Sequence, residues 1–131
     1  MWIKINQLVC MENNPLARTT GDTPKLTLLN EGTINVVGNS SAGMKIERVA
    51  GGISKKENVR AINKKTIILS AGKQKNVGIL ADNAIAENEK DISVLSKKST
   101  GMFTQNNGTI TNRGNISSTG EENIGMVAKD A

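Results

Sequence analysis

The sequence predicts an all-β chain that folds as a right-handed parallel β-helix of about four coils, with three short strands in each coil. Two observations predict this fold. A phrase recurs along the chain, in which Asn, two residues, a polar residue and Ile are followed about ten residues later by Gly and Met or Ile. Around each phrase, small or apolar residues alternate with polar ones at a period of two, which is typical of half-buried strands.

The spacing of the phrase matches one coil of a solenoid. The Asn residues of the last three copies are separated by 25 residues (63 to 88) and 24 residues (88 to 112). A repeat of this length predicts a stack of similar coils. The copies begin at Asn30, Asn63, Asn88 and Asn112, and their glycine pairs are Gly43-Met44, Gly78-Ile79, Gly101-Met102 and Gly125-Met126.

Three strand-like pieces align in every copy. The first ends just before the Asn, with inward positions at Leu26/Leu28, Val59/Ala61, Ala84/Ala86 and Gly108/Ile110. The second follows the Asn, at Ile34/Val36, Ile67/Leu69, Ile92/Val94 and Ile116/Ser118. The third surrounds the Gly, at Ala42/Met44/Ile46, Val77/Ile79/Ala81, Thr100/Met102/Thr104 and Ile124/Met126/Ala128. No segment holds a helical apolar pattern for long enough to predict a helix.

Stacking predicts columns of equivalent side chains about 4.8 Å apart along the axis. One column is Ile34, Ile67, Ile92 and Ile116, and another is Met44, Ile79, Met102 and Met126. The recurring Asn is predicted to form a ladder at a corner, where its side chain can bond turn amides; ordinary turn composition is the alternative. The position two residues after the Asn is Gly32 and Gly114 in the outer coils but Lys65 and Lys90 in the middle coils. Lys does not suit a turn that requires a positive φ, so either the corner changes type between coils or the alignment slips by one.

Two parts of the chain depart from the repeat. Residues 1–24 share nothing with it and predict an irregular N-terminal segment ahead of β-helix repeats at 25–131. The interval between the first two Asn residues is 33 residues (30 to 63), and the excess at 48–57 predicts a loop extruded from the stack. Loops on repeat scaffolds are frequent binding elements. A tolerated surface insertion is the other interpretation.

The composition limits the chemistry. The chain has no His, so it lacks the commonest general base and the commonest metal ligand, and Ser40-Ser41 and Ser117-Ser118 have no His to activate them. We therefore predict no enzyme, no catalytic residue, no metal and no cofactor. The best alternative site is Glu87, Glu89 and Asp91, the densest acidic group, for which a solvated turn is the competing interpretation.

The net charge of +5 comes mainly from lysine pairs, which are interpreted as solubilising exposed turns and strand faces. The chain has only one Trp and one Phe and no Arg cluster, so no nucleic-acid partner is expected, and a basic nucleic-acid-binding module is the weakest alternative. Cys10 is the single cysteine and cannot form an internal disulfide. No run approaches ~20 apolar residues, so no membrane span is expected. The opening residues do not match an export signal.

The segments 30–44, 106–117 and 124–128 resemble repeats of autotransporter passenger domains, the type V secreted surface adhesins of Gram-negative bacteria. The resemblance covers about residues 25–131. It implies a virulence-associated β-helical stalk, carried to the cell surface by an outer-membrane translocator, that adheres to host cells or other bacteria without catalysis. Because the family's signal peptide and translocator are not in this sequence, we expect a segment of a longer secreted protein.

Further expectations about partners follow from the resemblance. The segment itself is expected to lie at the cell surface without spanning a membrane, and to pair with neighbouring coils or self-associate through its open ends. No functional residue of the family is carried over, because its repeats are structural. The main alternative is a fragment of a carbohydrate-active β-helix enzyme, a lyase or hydrolase, whose groove would need convergent carboxylates and a basic proton acceptor.

Overall fold

The structure, a computed structural model, describes residues 2–5, 8–11, 25–49, 53 and 55–130, the first two ranges as backbone alone. A short 3-10 helix spans Lys56–Asn58. In chain order the strands are β1 (Trp2–Ile5), β2 (Leu8–Met11), β3 (Leu26–Asn30), β4 (Thr33–Val36), β5 (Ala42–Glu47), β6 (Val59–Asn63), β7 (Thr66–Leu69), β8 (Val77–Asp82), β9 (Ile85–Asn88), β10 (Asp91–Val94), β11 (Thr100–Gln105), β12 (Thr109–Asn112), β13 (Asn115–Ser118) and β14 (Ile124–Ala128).

The strands form three parallel sheets, and each strand pairs with its equivalent in the next coil. Sheet A has the order β1-β4-β7-β10-β13, sheet B has the order β14-β11-β8-β5-β2, and sheet C has the order β12-β9-β6-β3. Successive strands along the chain belong to sheets C, A and B in turn, so three strands complete one coil. The predicted parallel β-helix of about four coils is confirmed.

The pairing register is the one that the repeat predicts. Ile34 pairs with Ile67, Ile67 with Ile92, and Ile92 with Ile116, which completes the predicted Ile column in sheet A. In sheet B the pairs Met44–Ile79, Ile79–Met102 and Met102–Met126 form the second column. Both columns are confirmed. Each is fully buried in the first three coils and becomes solvent-accessible in the last.

The core consists of columns of aliphatic side chains that lie between the three sheets. Its buried members are Ile, Val, Leu, Met and Ala, and no aromatic residue is among them in the described part of the chain. Burial of one such large side chain contributes about 1.5–3 kcal/mol, so the stack gains stability one coil at a time. Thr104 is the buried exception in sheet B, and its hydroxyl donates to the Ala81 carbonyl oxygen at 2.9 Å.

The glycine of each Gly-Met or Gly-Ile pair is needed because the coils approach closely at that position. A Cβ placed on Gly101 would lie 2.6 Å from the carbonyl oxygen of Gly125 and 2.7 Å from Cγ2 of Ile116. Gly43 and Gly78 would meet the same two groups, namely the next glycine carbonyl and the isoleucine of sheet A. The glycine of one copy of the phrase therefore packs against the isoleucine of the next copy.

The corner after sheet C, which we name the Asn corner (30–32, 63–65, 88–90 and 112–114), repeats in register along the stack. The backbone N–H of the residue after each Asn donates to the preceding Asn carbonyl, as from Lys64 to Asn30 at 2.9 Å and from Glu89 to Asn63 at 2.8 Å. Neither the glycines nor the lysines two residues after the Asn have a positive φ. The expected slip of the alignment is wrong, because each Asn pairs with the next Asn. The corner does vary between coils: the N–H groups of Gly32 and Gly114 donate to Oδ1 of their own Asn, at 3.1 and 3.2 Å, and a Cβ on Gly114 would overlap the backbone of Lys90.

The N-terminal segment contains two strands where an irregular chain was predicted. β1 pairs with β4 and β2 pairs with β5, both parallel, so these eight residues extend sheets A and B by a partial coil. Ile3 pairs with Ile34 and Leu8 with Met44, so apolar residues occupy the register positions of both columns. The remainder of 1–24 lies outside the described residues.

The segment 48–57 interrupts the repeat between β5 and β6 but, where it is described, it lies against the stack instead of extending away from it. Ile53 is 5% exposed and belongs to the hydrophobic core. The Arg48 guanidinium donates to the Ile53 carbonyl at 3.1 Å and to Asn83 Oδ1 at 2.8 Å. Lys56 Nζ reaches the Asn107 carbonyl at 2.8 Å, two coils further on. Burial of Ile53 and the hydrogen bonds of Arg48 and Lys56 therefore hold the described part of this segment against the stack, where an extruded loop was predicted.

The close approach of the coils at glycine predicts a sharp difference between two glycines of the same column. Gly101→Ala should lower the free energy of unfolding by about 1–3 kcal/mol, because its methyl group overpacks a buried site. Gly125→Ala is the matched control, since its added methyl group, at the end of the stack, would have no neighbouring atom within 4 Å. We expect it to change stability by less than about 0.5 kcal/mol. Urea unfolding followed by circular dichroism measures both, and equal losses would contradict the packing argument.

Candidate functional site

At the Asn corner the asparagine side chains form a hydrogen-bonded ladder along the whole stack. The side-chain Nδ2 of Asn30 donates to Oδ1 of Asn63 at 2.7 Å, Asn63 donates to Asn88 at 2.8 Å, and Asn88 donates to Asn112 at 2.8 Å. Each Nδ2 also donates to the carbonyl two residues further along its own corner, at 3.0 to 3.2 Å. The predicted Asn ladder is confirmed. These side chains are fully engaged within the scaffold.

A second ladder lies at the corner between sheets A and B, which we name the Ser-Asn corner (37–41, 70–76, 95–99 and 119–123). The backbone N–H of Ser41 donates to Asn76 Oδ1 at 2.9 Å, that of Asn76 to Ser99 Oγ at 2.9 Å, and that of Ser99 to Asn123 Oδ1 at 2.8 Å. Sequence reasoning did not find this ladder. Its signal is a small polar residue two places before the glycine of every phrase.

The acidic group proposed as the alternative site does not converge. Glu87 lies on the outer face of sheet C, where its carboxylate pairs with Arg60 at 2.9 Å and Arg113 at 3.7 Å. Asp91 begins a strand of sheet A, across the Asn corner, and accepts a hydrogen bond from Asn115 at 3.3 Å. Glu89 is exposed in the turn between them. Because the Asn corner lies between Glu87 and Asp91, the three carboxylates do not share one face of the stack despite their period-two spacing in the sequence.

No three acidic, Cys or His side chains of the described residues come together in a way that could hold a metal ion. The serine pairs also have structural positions. The hydroxyl of Ser41 donates to the Asn39 carbonyl at 3.0 Å, and that of Ser118 accepts from Asn123 Nδ2 at 2.8 Å. Neither hydroxyl faces a carboxylate in the described part of the chain, so neither has a partner that could act as a general base.

The Ser-Asn corner carries a basic surface that sequence reasoning assigned to solubility alone. One residue per coil has a left-handed backbone there, with φ of 51° at Ser40, 59° at Lys75, 51° at Lys98 and 56° at Glu122. Each of these four residues is exposed and lies three places before the glycine of its phrase, so their side chains form an outer column. Lys97 pairs with Gln74 across an isolated bridge, and its N–H donates to the Lys73 carbonyl at 3.0 Å. In this register Lys75 lies next to Lys98, Lys97 lies next to Gln74, and Lys98 is followed by Glu122 in the last coil.

Two open depressions flank the stack among the described residues. One, of about 260 Å³, lies beside the Ser-Asn corner and is lined by Ser40, Ser41, Ala42, Lys45, Lys75, Val77 and Leu80. The other, of about 360 Å³, lies on the outer face of sheet C and is lined by Lys25, Thr27, Glu57, Asn58 and Arg60. In the second, Arg60 is already engaged by Glu87 and by the Glu57 carbonyl. The first keeps its charged groups unpaired within the described chain.

The last coil exposes the interior of the stack. Ile124 is 54% exposed and Met126 is 41% exposed, whereas Met102, which pairs with Met126, is fully buried. In the described chain β12, β13 and β14 are each paired on one side only. This end face therefore presents apolar side chains next to free backbone N–H and C=O groups.

Comparison with protein-family models, curated proteins and solved structures found no match to this chain. The part of the chain that the structure describes contains no helix with the length and apolar character needed to cross a bilayer.

The Asn ladder predicts that an interior member matters more than a terminal one. Asn63→Ala should lower the free energy of unfolding by about 1–3 kcal/mol, because it removes one acceptor of Asn30 Nδ2 and the donor to the buried Asn88 Oδ1. Asn112→Ala should cause a smaller loss, since Asn112 is half-buried and bonds one ladder neighbour. Comparison of urea midpoints for the two variants checks the order. A loss at Asn112 as large as that at Asn63 would show that the corner turn, and not the ladder, carries the effect.

Proposed function

We propose that this chain is a non-catalytic structural and adhesive segment of a bacterial surface β-helix of the autotransporter passenger type. The observation that carries the proposal is the in-register stack, whose interior chemistry serves only to join one coil to the next. The resemblance of the repeated phrase to passenger-domain repeats supplies the biological setting. Under this proposal the segment lies at the cell surface as part of a longer secreted protein.

The regular interior supports the structural part of the proposal. Both amide ladders, the glycine column and the aliphatic columns run along the same axis, and each links every coil to the one before it. A solenoid of this kind gains length by adding coils without redesigning its core. Such an architecture suits a stalk that extends outward from a cell surface, because a stalk must be long and stiff but needs no reactive group.

The open end face supports the association of the segment with a further β-helical coil or with a second copy. Unpaired strand edges with apolar side chains favour strand addition, because both backbone hydrogen bonds and apolar area are gained. The exposed residues at this end continue the columns of the core, so an added coil would meet the same register.

The enzyme alternative receives little support from the arrangement of charged groups. Glu87, its best candidate, is held by Arg60 and Arg113, and Glu89 and Asp91 lie across a corner from it. A lyase-like groove needs carboxylates and a basic group directed at one point. We therefore prefer a surface-binding function.

Adhesion is tested with the full chain coupled to fluorescent beads and incubated with cultured epithelial cells and with Gram-negative bacteria. We expect retention on at least one of the two cell types, well above beads coated with serum albumin. The double variant Ile67→Asp with Ile92→Asp, which places charges in the core and unfolds the stack, is the control for nonspecific stickiness. Retention no better than albumin on both cell types would overturn the adhesive part of the proposal.

Association through the end face is tested by Met126→Lys, which places a charge among the exposed apolar side chains of β14. We expect the parent chain to form larger species as its concentration rises, and the variant to remain smaller in sedimentation velocity. Leu29→Lys is the matched control, because Leu29 is also 41% exposed but lies on the outer face of sheet C. A parent that stays monomeric, or a control that dissociates equally, would contradict this mode of association.

A further inference from the structure

Five lysines gather at the Ser-Asn corner and the depression beside it: Lys45, Lys73, Lys75, Lys97 and Lys98. In the described part of the chain the ion pairs all involve Glu87, so no carboxylate lies within 4 Å of these ammonium groups. Three of the five, Lys75, Lys97 and Lys98, are exposed. The corner is therefore an uncompensated positive surface.

The Asn corner carries a more balanced set of charges than the Ser-Asn corner. The residue after each Asn is exposed, and its charge alternates along the stack in the order Glu31, Lys64, Glu89, Arg113. Opposite charges in adjacent coils attract, whereas like charges facing each other across paired strands are destabilising. Lys65 and Lys90 are like-charged neighbours at the Asn corner, as Lys75 and Lys98 are at the Ser-Asn corner, so like-charge stacking does not distinguish the two corners. The Ser-Asn corner differs because its two middle coils carry four lysines and no acidic residue, which makes it the more positive surface.

The depression adds the other groups that a ligand would need. Ser40 and Ser41 present hydroxyls at its rim, and Lys45 and Lys75 present ammonium groups. Val77 and Leu80 form a half-buried apolar floor. Cations, hydroxyls and a small apolar face together match a sugar that carries an acid group. Its carboxylate would meet lysine, its hydroxyls would meet serine, and the C–H face of its ring would rest on the aliphatic floor.

We propose that the Ser-Asn corner binds a linear acidic polysaccharide, with the sugar chain running along the axis of the stack. Equivalent side chains of adjacent coils are about 4.8 Å apart, close to the length of one pyranose unit in an extended chain. A polyuronate, which carries one carboxylate per sugar, would thus present its charges at nearly the spacing of the coils. Glu121 and Glu122 in the last coil repel the ligand and limit the site to the preceding coils.

A nucleic acid fits this surface less well. The corner offers no Arg for bidentate contact with phosphate and no aromatic ring for base stacking, and the only Phe, Phe103, lies on the outer face of sheet B. The proposal rests on the adhesive function argued above and gives it a ligand class.

The test compares binding of the full chain to polygalacturonate, to neutral dextran and to single-stranded DNA, at low and at physiological ionic strength. We expect the parent to bind polygalacturonate, to ignore dextran, and to bind more weakly as salt rises. The corner variant Lys73→Gln, Lys75→Gln, Lys97→Gln, Lys98→Gln should bind at least about tenfold more weakly, because it loses four solvent-accessible ion pairs of modest strength. Lys45→Gln alone should weaken binding by about threefold.

The matched control removes the same charge elsewhere: Lys64→Gln, Lys65→Gln, Lys90→Gln, Lys129→Gln, with affinity expected to stay within about twofold of the parent. Urea midpoints establish that all variants are folded. No binding of polygalacturonate by the parent, equal losses in both quadruple variants, or tighter binding of DNA than of polygalacturonate would each overturn the proposal. Beads that still adhere to cells in any of these cases would leave the adhesive function in place and exclude only this ligand.

Discussion

The structure depends on the hydrogen bonds that buried asparagine side chains make from one coil to the next. An amide in a dry core costs about 1–3 kcal/mol if it has no partner. Here the partner of Asn63 is Asn30 on one side and Asn88 on the other, so the polar group is satisfied only when coils are stacked in register. An Asn side chain that would destabilise an isolated coil therefore stabilises the stack when the coils are in register.

The same constraint fixes the other columns. A shift of one residue in sheet A would move Ile67 and Ile92 out of the core, and Thr66 and Asp91 are the residues that would enter when the strands shift in one direction. It would also separate each glycine from the isoleucine that fills the space its missing side chain leaves. Polar ladders, close backbone approach and aliphatic packing all specify one register, which explains how thin coils with no aromatic residue in the described core can define a unique stack.

Fold and register were predictable from the sequence because every inward position lies at a constant distance from Asn or from Gly. Ile34, Ile67 and Ile92 illustrate this, each four residues after its Asn. The Ser-Asn ladder was not predicted because its corner varies in length: residues 70–76 make seven, against five in 95–99. Counting back from glycine removes the variation. β1 and β2 were missed for another reason, since pairing with an existing edge can impose a strand on residues that lack the phrase.

The candidate site was not predictable, since it depends on which exposed residues become neighbours across coils. Lys75 and Lys98 are 23 positions apart, and they belong to lysine groups that resemble ordinary solubilising charges when taken one coil at a time. Stacking places them in one column, on left-handed backbone that disfavours a non-glycine residue by about 1–2 kcal/mol. Ser40 and Glu122 have the same left-handed backbone. The fold of the corner therefore accounts for this conformation, but it does not account for the presence of lysine at positions 75 and 98. The positive charge is concentrated in the two middle coils, where no carboxylate of the described chain lies within 4 Å of the lysine ammonium groups, and an anionic ligand is the partner that such a surface fits.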